Sequence, residues 1–182
     1  MKETININHR VIEKCLEGDI KAQYQLYKQY SKAMYNIAMR FLDNKMDAED
    51  ILQDSFIKAF SRLGELKNKD VFGSWLKRIV INNCISLQRK KKIHFEEIDE
   101  ARYENDSDLD DTLPKIDPAL VHNAIKELPH KGRTVLVLRA LEGYKHQEIS
   151  DMLDISVSTS KTQYSRALAL LNKKLKDKVY VD

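Results

Sequence analysis

Residues 147–171 read QEISDMLDISVSTSKTQYSRALALL, and this stretch decides the fold of its part of the chain. From residue 157 onward, polar and apolar side chains separate with the 3.6-residue period of an α-helix. The polar arc consists of Lys161, Thr162, Ser165 and Arg166. The opposite arc consists of Ser160, Tyr164, Ala167, Leu168 and Leu171. A helix of this kind can pack by one face and bind by the other.

A shorter helix precedes this one at the spacing of a helix-turn-helix motif. It covers residues 147–153, with Ile149, Met152 and Leu153 directed inward, and a short turn then leads to Ser156. The Ser156 hydroxyl can accept a hydrogen bond from a backbone N–H of the first helical turn, so we expect it to be the N-cap. The motif alone leaves an ordinary αα-hairpin with a solvated polar face as the alternative.

The composition predicts an almost entirely helical protein. The chain has 182 residues, of which 42% are hydrophobic, five are glycine and three are proline. So few helix breakers, together with many Leu, Ile, Lys, Glu and Gln residues, favour helix throughout. No apolar run approaches the roughly 18 residues that span a bilayer, and the first residues lack the apolar core of a signal peptide. We therefore expect a cytoplasmic protein without membrane insertion, in which Cys15 and Cys84 are buried thiols rather than metal or redox sites.

The charges separate into three blocks. Residues 1–92 carry 18 basic and 11 acidic side chains, residues 93–118 carry 2 and 10, and residues 119–182 carry 11 and 7, giving net charges of +7, −8 and +4. The acidic block has little apolar content. It therefore cannot bury enough apolar surface to offset the conformational entropy that it would lose on becoming ordered. The sequence therefore predicts a flexible linker, and a mimic of nucleic acid is the alternative to a plain solvated spacer.

Glycine, proline, aspartate and asparagine residues separate nine predicted helices. Five lie in the first basic block, near 8–17, 20–30, 31–42, 47–63 and 71–91. Four lie in the second, near 118–128, 133–142, 146–153 and 157–175.

The helix near 47–63 is predicted to have one buried and one exposed face. The buried stripe consists of Ala48, Leu52, Phe56, Ala59, Phe60 and Leu63. The exposed side consists of Asp50, Gln53, Asp54 and Ile57. A single exposed isoleucine is ordinary, but one surrounded by polar groups is typical of the centre of a protein contact.

The helix near 71–91 is predicted to expose a different chemistry. Its inward residues are Phe72, Trp75, Leu76, Ile79, Val80 and Leu87. Its outward residues are Arg78, Asn82 and Arg89, with Ile81 and Ile85 beside them and four cations at residues 89–92. Guanidinium and amide groups beside a run of cations suit phosphate neutralisation and hydrogen bonding to bases, although an ordinary solvated face is the alternative.

The pattern argues against an enzyme. The sequence contains no nucleophile triad, no Gly-rich phosphate loop and no cluster of His, Cys and carboxylate residues at metal-ligand spacing. We therefore expect no catalytic residue, metal or cofactor.

Two stretches resemble a known family. Residues 47–60, DAEDILQDSFIKAF, and 72–83, FGSWLKRIVINN, resemble region 2 of the extracytoplasmic-function sigma factors of the sigma-70 family. Residues 128–144 and the helix-turn-helix resemble region 4 of the same family. The resemblance implies an all-α fold with a region 2 bundle at 1–92, an acidic flexible linker at 93–117 and a region 4 helix-turn-helix at 118–182.

The resemblance also implies a function and its residues. It implies a bacterial initiation factor that binds RNA polymerase core through the β′ clamp helices and β, directs it to promoter DNA, helps melt the promoter and is held by an anti-sigma factor. The implied core-binding residues are Asp50, Gln53, Asp54 and Ile57. The implied minus-ten residues are Asn82 and a base-capturing loop of Leu66, Lys67, Asn68, Lys69 and Asp70. Arg78 and Arg89, on the same outward face as Asn82, are added to the predicted minus-ten surface for their charge. The implied minus-thirty-five residues are Lys161, Thr162, Ser165 and Arg166.

Four positions depart from the family pattern. Leu66 stands where some members have an aromatic residue, Ser158 replaces a frequent glycine, and Gln163 and Leu168 replace frequent cations. These departures concern the promoter sequence that is preferred, not the class of protein. Two other classes stay open, a stand-alone helix-turn-helix regulator and a helical RNA-binding or adaptor protein, and the acidic tether between two basic bodies favours the sigma factor.

Overall fold

The computed structural model describes residues 2–92 and 117–179, and every regular element in those ranges is helical. The chain divides into two compact units, residues 1–94 and 95–182. The predicted all-α fold with two helical domains is thereby confirmed. Apart from residue 117, the predicted linker lies outside the described residues. None of the helices in the described ranges is both long and apolar enough to cross a membrane.

Within residues 2–92, the first unit contains four α-helices and two short 3₁₀ turns. The helices are α1 (Lys2–Leu16), α2 (Ile20–Phe41), α3 (Lys45–Ser61) and α4 (Phe72–Lys92). The 3₁₀ turns, Leu63–Glu65 and Lys69–Val71, lie in the connection between α3 and α4.

Polar caps define where α2 and α3 begin. The Asp19 carboxylate accepts hydrogen bonds from the backbone N–H groups of Lys21 at 2.8 Å and Ala22 at 3.3 Å. The Asn44 side chain accepts one from the N–H of Asp47 at 2.9 Å. Each cap satisfies donors that a helix leaves unpaired in its first turn, so these residues fix the starting points of both helices.

The helix α2 is continuous, whereas the sequence was predicted to form two helices, near 20–30 and 31–42. The prediction was wrong because no glycine or proline interrupts the segment and the apolar stripe runs through it. Leu26, Met34, Ile37 and Phe41 are all buried at helical spacing. A polar residue in mid-helix is no break when the stripe on either side of it packs against the same neighbours.

The helix α4 is buried over a wider arc than predicted. Ile81 and Ile85, which were predicted to point outward, are 0% and 4% exposed. Helix α4 packs against both α2 and α3, and two neighbours bury two stripes of one helix. The predicted inward positions Phe72, Leu76 and Val80 are buried as expected.

A buried polar network joins α3 to α4. The Asn83 side chain donates to Ser55 Oγ at 2.8 Å and accepts from Lys58 Nζ at 2.6 Å. Ser55 Oγ in turn donates to the Ile51 carbonyl at 2.6 Å. Ser55 is fully buried and Asn83 is 8% exposed. The network satisfies polar groups that would otherwise be buried without partners, and it fixes the register of α4 against α3.

Asn83→Ala is expected to lower the free energy of unfolding of the first unit by about 1 to 2 kcal/mol, because two hydrogen bonds are lost. Asn82→Ala is the matched control, since it makes the same replacement one residue earlier at an exposed position. The control is expected to stay within about 0.5 kcal/mol of the original chain. Urea unfolding followed by fluorescence of the single tryptophan, Trp75 in α4, measures both. Equal losses in the two variants would contradict the structural role of the network.

Both cysteines are buried, as the sequence predicted. Burial raises the pKa of the Cys15 thiol to about 11 and that of the Cys84 thiol to about 12. Both side chains are therefore protonated at neutral pH and pack as small apolar groups.

In the part of the second unit that the structure describes, residues 117–179, there are four α-helices and one π-helical turn. The helices are α5 (Pro118–Lys126), α6 (His130–Leu136), α7 (His146–Leu153) and α8 (Val157–Val179), and the π-helical turn is Val137–Leu141. The core of the unit includes Val135, Leu136, Leu138, Ile149, Ala167 and Leu171, all buried.

Two features place α6 against α8. Helix α6 begins at His130, directly after Pro129, rather than near residue 133 as predicted. Gly132 then lies in its first turn, where an added Cβ would come within 3.2 Å of the Ala167 Cβ. A small residue on each helix lets the two backbones approach closely, so the position and orientation of α8 depend on this contact.

Candidate functional site

The turn between α7 and α8 is built by local hydrogen bonds. Asp154 ends α7 in the left-handed region with φ = 56°, which Asp and Asn tolerate better than most residues. The Ser150 hydroxyl donates to the Ile155 carbonyl at 2.6 Å. The Ser156 hydroxyl accepts from the Thr159 N–H at 3.0 Å, which confirms Ser156 as the N-cap of α8. The predicted helix-turn-helix is therefore present, with its second helix starting at a fixed point.

Helix α8 presents the polar arc that the sequence predicted. The exposed members are Lys161, Thr162, Ser165 and Arg166. On the opposite side Ser160, Ala167 and Leu171 are buried, while Tyr164 and Leu168 are partly exposed. The structure thus brings all four residues together on one accessible face with two cations.

A histidine that the sequence analysis missed joins the two helices of the motif. His146, the first residue of α7, lies with its Nδ1 2.9 Å from the Oγ of the buried Ser160. Its ring also meets the Tyr164 ring edge-on, with centroids 5.7 Å apart. The sequence did contain a signal for this contact, because Ser160 lies on the apolar arc of α8 and a buried hydroxyl needs a hydrogen-bond partner.

The pKa of His146 lies below its ordinary value because of burial first, and then because of the positive charges of Arg139 and Lys161. The unfolded chain therefore takes up a proton at His146 near pH 6.5, above the pH at which the folded chain does. The contribution of His146 to stability is complete above that pH and is lost as the pH falls toward the lowered pKa.

His146→Gln is expected to flatten the decline in thermal stability of the second unit as the pH falls below about 6.5. Glutamine retains hydrogen-bonding groups for Ser160 but does not titrate. Thermal unfolding of the full chain at a series of pH values, with and without the substitution, measures the difference. Identical pH profiles would show that His146 is not the titrating contact.

Helix α3 presents the second predicted face, which we call the α3 face. Asp50, Gln53, Asp54 and Ile57 are all exposed, and the Ile57 side chain is 66% exposed. Met46, which the sequence analysis missed, is 74% exposed and precedes Asp50 by one turn. The spacing of 46, 50, 53 and 57 is that of a single helical stripe, and extending the pattern backward would have found Met46.

An open groove borders the α3 face. It has a volume of about 390 Å³ and lies between α2 and α3. Its lining residues are Tyr27, Ser31, Lys32, Tyr35, Glu49, Leu52 and Gln53. Gln53 belongs both to the groove and to the exposed stripe, so a partner that lies on α3 also reaches this concave surface.

Helix α4 presents the third predicted face. Arg78, Asn82 and Arg89 are exposed as expected. The cationic end of the helix is partly neutralised, because Lys91 Nζ forms an ion pair with an Asp47 carboxylate oxygen. The α4 surface therefore offers an exposed amide between two guanidinium groups, on a helix whose register the Asn83 network fixes.

The loop before α4 is more structured than the sequence indicated. Asn68 accepts a hydrogen bond from the Asp70 N–H at 2.9 Å and so starts the second 3₁₀ turn. Lys69 Nζ lies 2.6 Å from Glu13 Oε1, and Asp70 Oδ1 lies 2.6 Å from His9 Nε2. Leu66 is partly exposed, whereas Lys67 is exposed. The loop therefore combines an accessible rim with residues that contact α1.

Two family models match the chain, one in each unit. The model for sigma-70 region 2 matches residues 26–93, which include α3 and α4. The model for sigma-70 region 4 matches residues 119–171, which include the helix-turn-helix. The order of the two matches is the order in which the sequence resemblance placed these regions.

Individual proteins are similar along most of their length. The chain is 28% identical to the RNA polymerase sigma-H factor of Pseudomonas aeruginosa, over 92% of this chain and 93% of that protein. It is 31% identical to the ECF RNA polymerase sigma factor SigW of Bacillus subtilis, over 91% of this chain and 95% of SigW. The fold is similar to that of the sigma factor RpoE of Bartonella quintana, which was solved in complex with the anti-sigma factor NepR. The TM-score is 0.56 and the sequence identity is 22%, and the match covers 86% of this chain and 98% of the RpoE chain.

The matches to region 2 and region 4 fall on the units that carry the α3, α4 and α8 faces. The similarity to SigW extends over nearly all of both chains. The chain belongs to the extracytoplasmic-function sigma factors of the sigma-70 family.

Proposed function

We propose that the chain is an alternative sigma factor that brings RNA polymerase core to specific promoters and helps to open them. The observation that carries the proposal is the pair of exposed faces in the first unit: an apolar and acidic stripe on α3, and an amide flanked by guanidinium groups on α4. One face suits a protein partner and the other suits nucleic acid. A stand-alone helix-turn-helix regulator would account for the second unit alone.

Core binding is assigned to the α3 face. Asp50, Gln53, Asp54 and Ile57 would contact the β′ clamp helices, with Ile57 as the apolar centre and the three polar residues around it. Met46 extends the same stripe by one turn. A contact with an apolar centre and a polar rim is the usual arrangement of a protein interface.

Recognition of the minus-ten element is assigned to the loop and to α4. Leu66, Lys67, Asn68 and Lys69 would form the pocket for an unpaired base, while Asn82 would hydrogen-bond an exposed base edge. Arg78 and Arg89 lie on either side of Asn82 along α4 and would neutralise the phosphates of the displaced strand. Binding to the separated strand stabilises the open promoter relative to the closed duplex.

Recognition of the minus-thirty-five element is assigned to α8. A helix that follows the turn of a helix-turn-helix enters the major groove and reads base edges with residues near its start. Lys161, Thr162, Ser165 and Arg166 lie in the first three turns of α8 and are exposed. Lys161 and Arg166 give this face two positive charges.

We further propose that the chain works in the cytoplasm, where polymerase and DNA meet, and without catalytic chemistry of its own. The Bartonella sigma factor was solved with an anti-sigma factor. By analogy we propose that an anti-sigma protein controls this chain as well, by covering surfaces that polymerase needs.

Reconstitution with purified core RNA polymerase tests the proposed function. The expected result is a stable complex with core that transcribes from a subset of promoters selected from a library of randomised upstream and minus-ten sequences. Binding to DNA without any affinity for core would instead identify a stand-alone regulator. Absence of both activities would contradict the assignment of both units.

Asn82→Ala is expected to leave core affinity unchanged and to slow promoter opening. The reason is that Asn82 acts only after the strands separate, when a base edge becomes available to its amide. Permanganate footprinting of a duplex promoter measures opening, and a promoter with a pre-melted minus-ten region is expected to restore most of the transcription. Equal opening by the variant and the original chain would exclude Asn82 from strand recognition.

A further inference from the structure

Helix α1 contacts the proposed base-capturing loop through one ion pair and one hydrogen bond, which we call the α1 clamp. Glu13 Oε1 lies 2.6 Å from Lys69 Nζ, and His9 Nε2 lies 2.6 Å from Asp70 Oδ1. His9 and Glu13 are one helical turn apart on α1 and therefore share a face. Their partners are consecutive residues of the second 3₁₀ turn. The partners of the Glu13 pair are 56 positions apart in the sequence and those of the His9 pair are 61 apart, yet the two pairs form one contact.

The clamp is too exposed to be required for the fold. The side chains of Lys69 and Glu13 are 27% and 56% exposed, and those of His9 and Asp70 are 36% and 50% exposed. Pairs of this kind contribute little to global stability. Helix α1 is held instead by its buried residues Val11, Ile12 and Cys15. The hydrogen bond and charge of Lys69 lower the pKa of Glu13, so its carboxylate is ionised at neutral pH.

Two other supports from residues outside the loop lie at its two ends. Before the loop, Leu63 is 2% exposed and is buried in the core. After it, the Phe72 ring packs against the Tyr30 ring with centroids 5.2 Å apart. Gly73 lies so close to Tyr30 that an added Cβ would be 3.0 Å from that ring. The clamp adds a third support, at residues 69 and 70, between these two ends.

We propose that His9 and Glu13 are positioning residues for base capture, which hold the loop in the shape that receives the unpaired base. The proposal rests on the proposed role of the loop in minus-ten recognition. A loop that is ordered before binding does not have to be ordered by the DNA, and this preorganisation increases affinity. Residues of α1 would therefore influence recognition of a base that they do not touch.

The test compares holoenzymes formed with three variants of the full chain. His9→Ala with Glu13→Ala removes the clamp. His9→Gln with Glu13→Gln keeps hydrogen-bonding groups at both positions. Glu17→Ala is the matched control, since it removes an exposed carboxylate just beyond the end of α1. The probe is a minus-ten oligonucleotide in single-stranded form, used intact or abasic at the captured position.

The double alanine variant is expected to bind the intact probe about tenfold more weakly, because the loop must now be ordered on binding. The ratio of its affinities for the intact and the abasic probe is expected to fall toward one. Its affinity for core polymerase is expected to be unchanged. The double glutamine variant is expected to recover most of the preference, and Glu17→Ala is expected to match the original chain.

Two contrary results are distinguishable. If the original chain prefers the intact probe and the double alanine variant keeps that preference, the clamp has no positioning role and the proposal is overturned. If the original chain itself binds intact and abasic probes equally, the loop does not capture a base, and the proposed minus-ten role of the loop fails together with the clamp.

Discussion

Ile57→Asp is expected to weaken binding of the chain to core RNA polymerase by about 30-fold, equivalent to about 2 kcal/mol. Ile57 is 66% exposed in the free chain, and Asp50, Gln53 and Asp54 lie on the same face of α3 in the two turns before it. In the proposed complex this side chain is the desolvated centre of the contact. A carboxylate there would have to be buried beside two others of the same charge.

The same substitution is expected to leave the fold intact, because Ile57 lies outside the core. Ile20→Asp provides the matched control, since Ile20 is 78% exposed at the start of α2 in the same unit. Titration of labelled core with each variant measures the affinities, and circular dichroism checks the helical content. Equal affinities for Ile57→Asp and Ile20→Asp would place the polymerase contact away from α3.

Asp50→Ala and Gln53→Ala are also expected to weaken binding to core polymerase, but by less than Ile57→Asp does. Each is expected to reduce the free energy of binding by about 1 kcal/mol. Met46→Ala tests how far the contact extends along the stripe. A graded loss from Ile57 toward Met46 would locate the centre of the interface at the end of α3 that lies next to the loop.

Arg166→Ala is expected to abolish the preference for one base at one position of the minus-thirty-five element. The difference in binding free energy between the preferred base and the other bases at that position is expected to fall by about 1 to 3 kcal/mol. The planar guanidinium can donate two hydrogen bonds to the O6 and N7 atoms of a guanine in the major groove. Arg166 is exposed on α8, on the same arc as Lys161 and Thr162. Binding of the holoenzyme to a library of randomised upstream elements measures the sequence profile before and after the substitution.

Lys161→Ala is the matched control for charge, because it also removes one cation from the exposed arc of α8. A lysine that holds a phosphate contributes equally to all sequences, so this variant is expected to bind every element more weakly and with a shallower salt dependence. An unchanged sequence profile for Arg166→Ala would make Arg166 a backbone contact and would leave base reading to Thr162 and Ser165.

Amphipathic periodicity explains why so much of the fold was predictable. The stripe on α3, the polar arc on α8 and the N-cap at Ser156 all follow from residues within a few positions of one another. One error occurred where a helix met more than one neighbour. Ile81 and Ile85 were assigned to the surface because one buried stripe was assumed, whereas α4 packs against both α2 and α3.

By itself the sequence determined the helical class, the two patterned bodies, the helix-turn-helix and the candidate binding faces, because local spacing sets which side of a helix is apolar. Only the tertiary structure decided which polar groups meet. The Asn83 network, the contact between His146 and Ser160, and the α1 clamp each join residues on different elements, and the clamp pairs are 56 and 61 positions apart. Such pairings depend on how elements pack and on the need of polar groups for partners, and no local pattern encodes them.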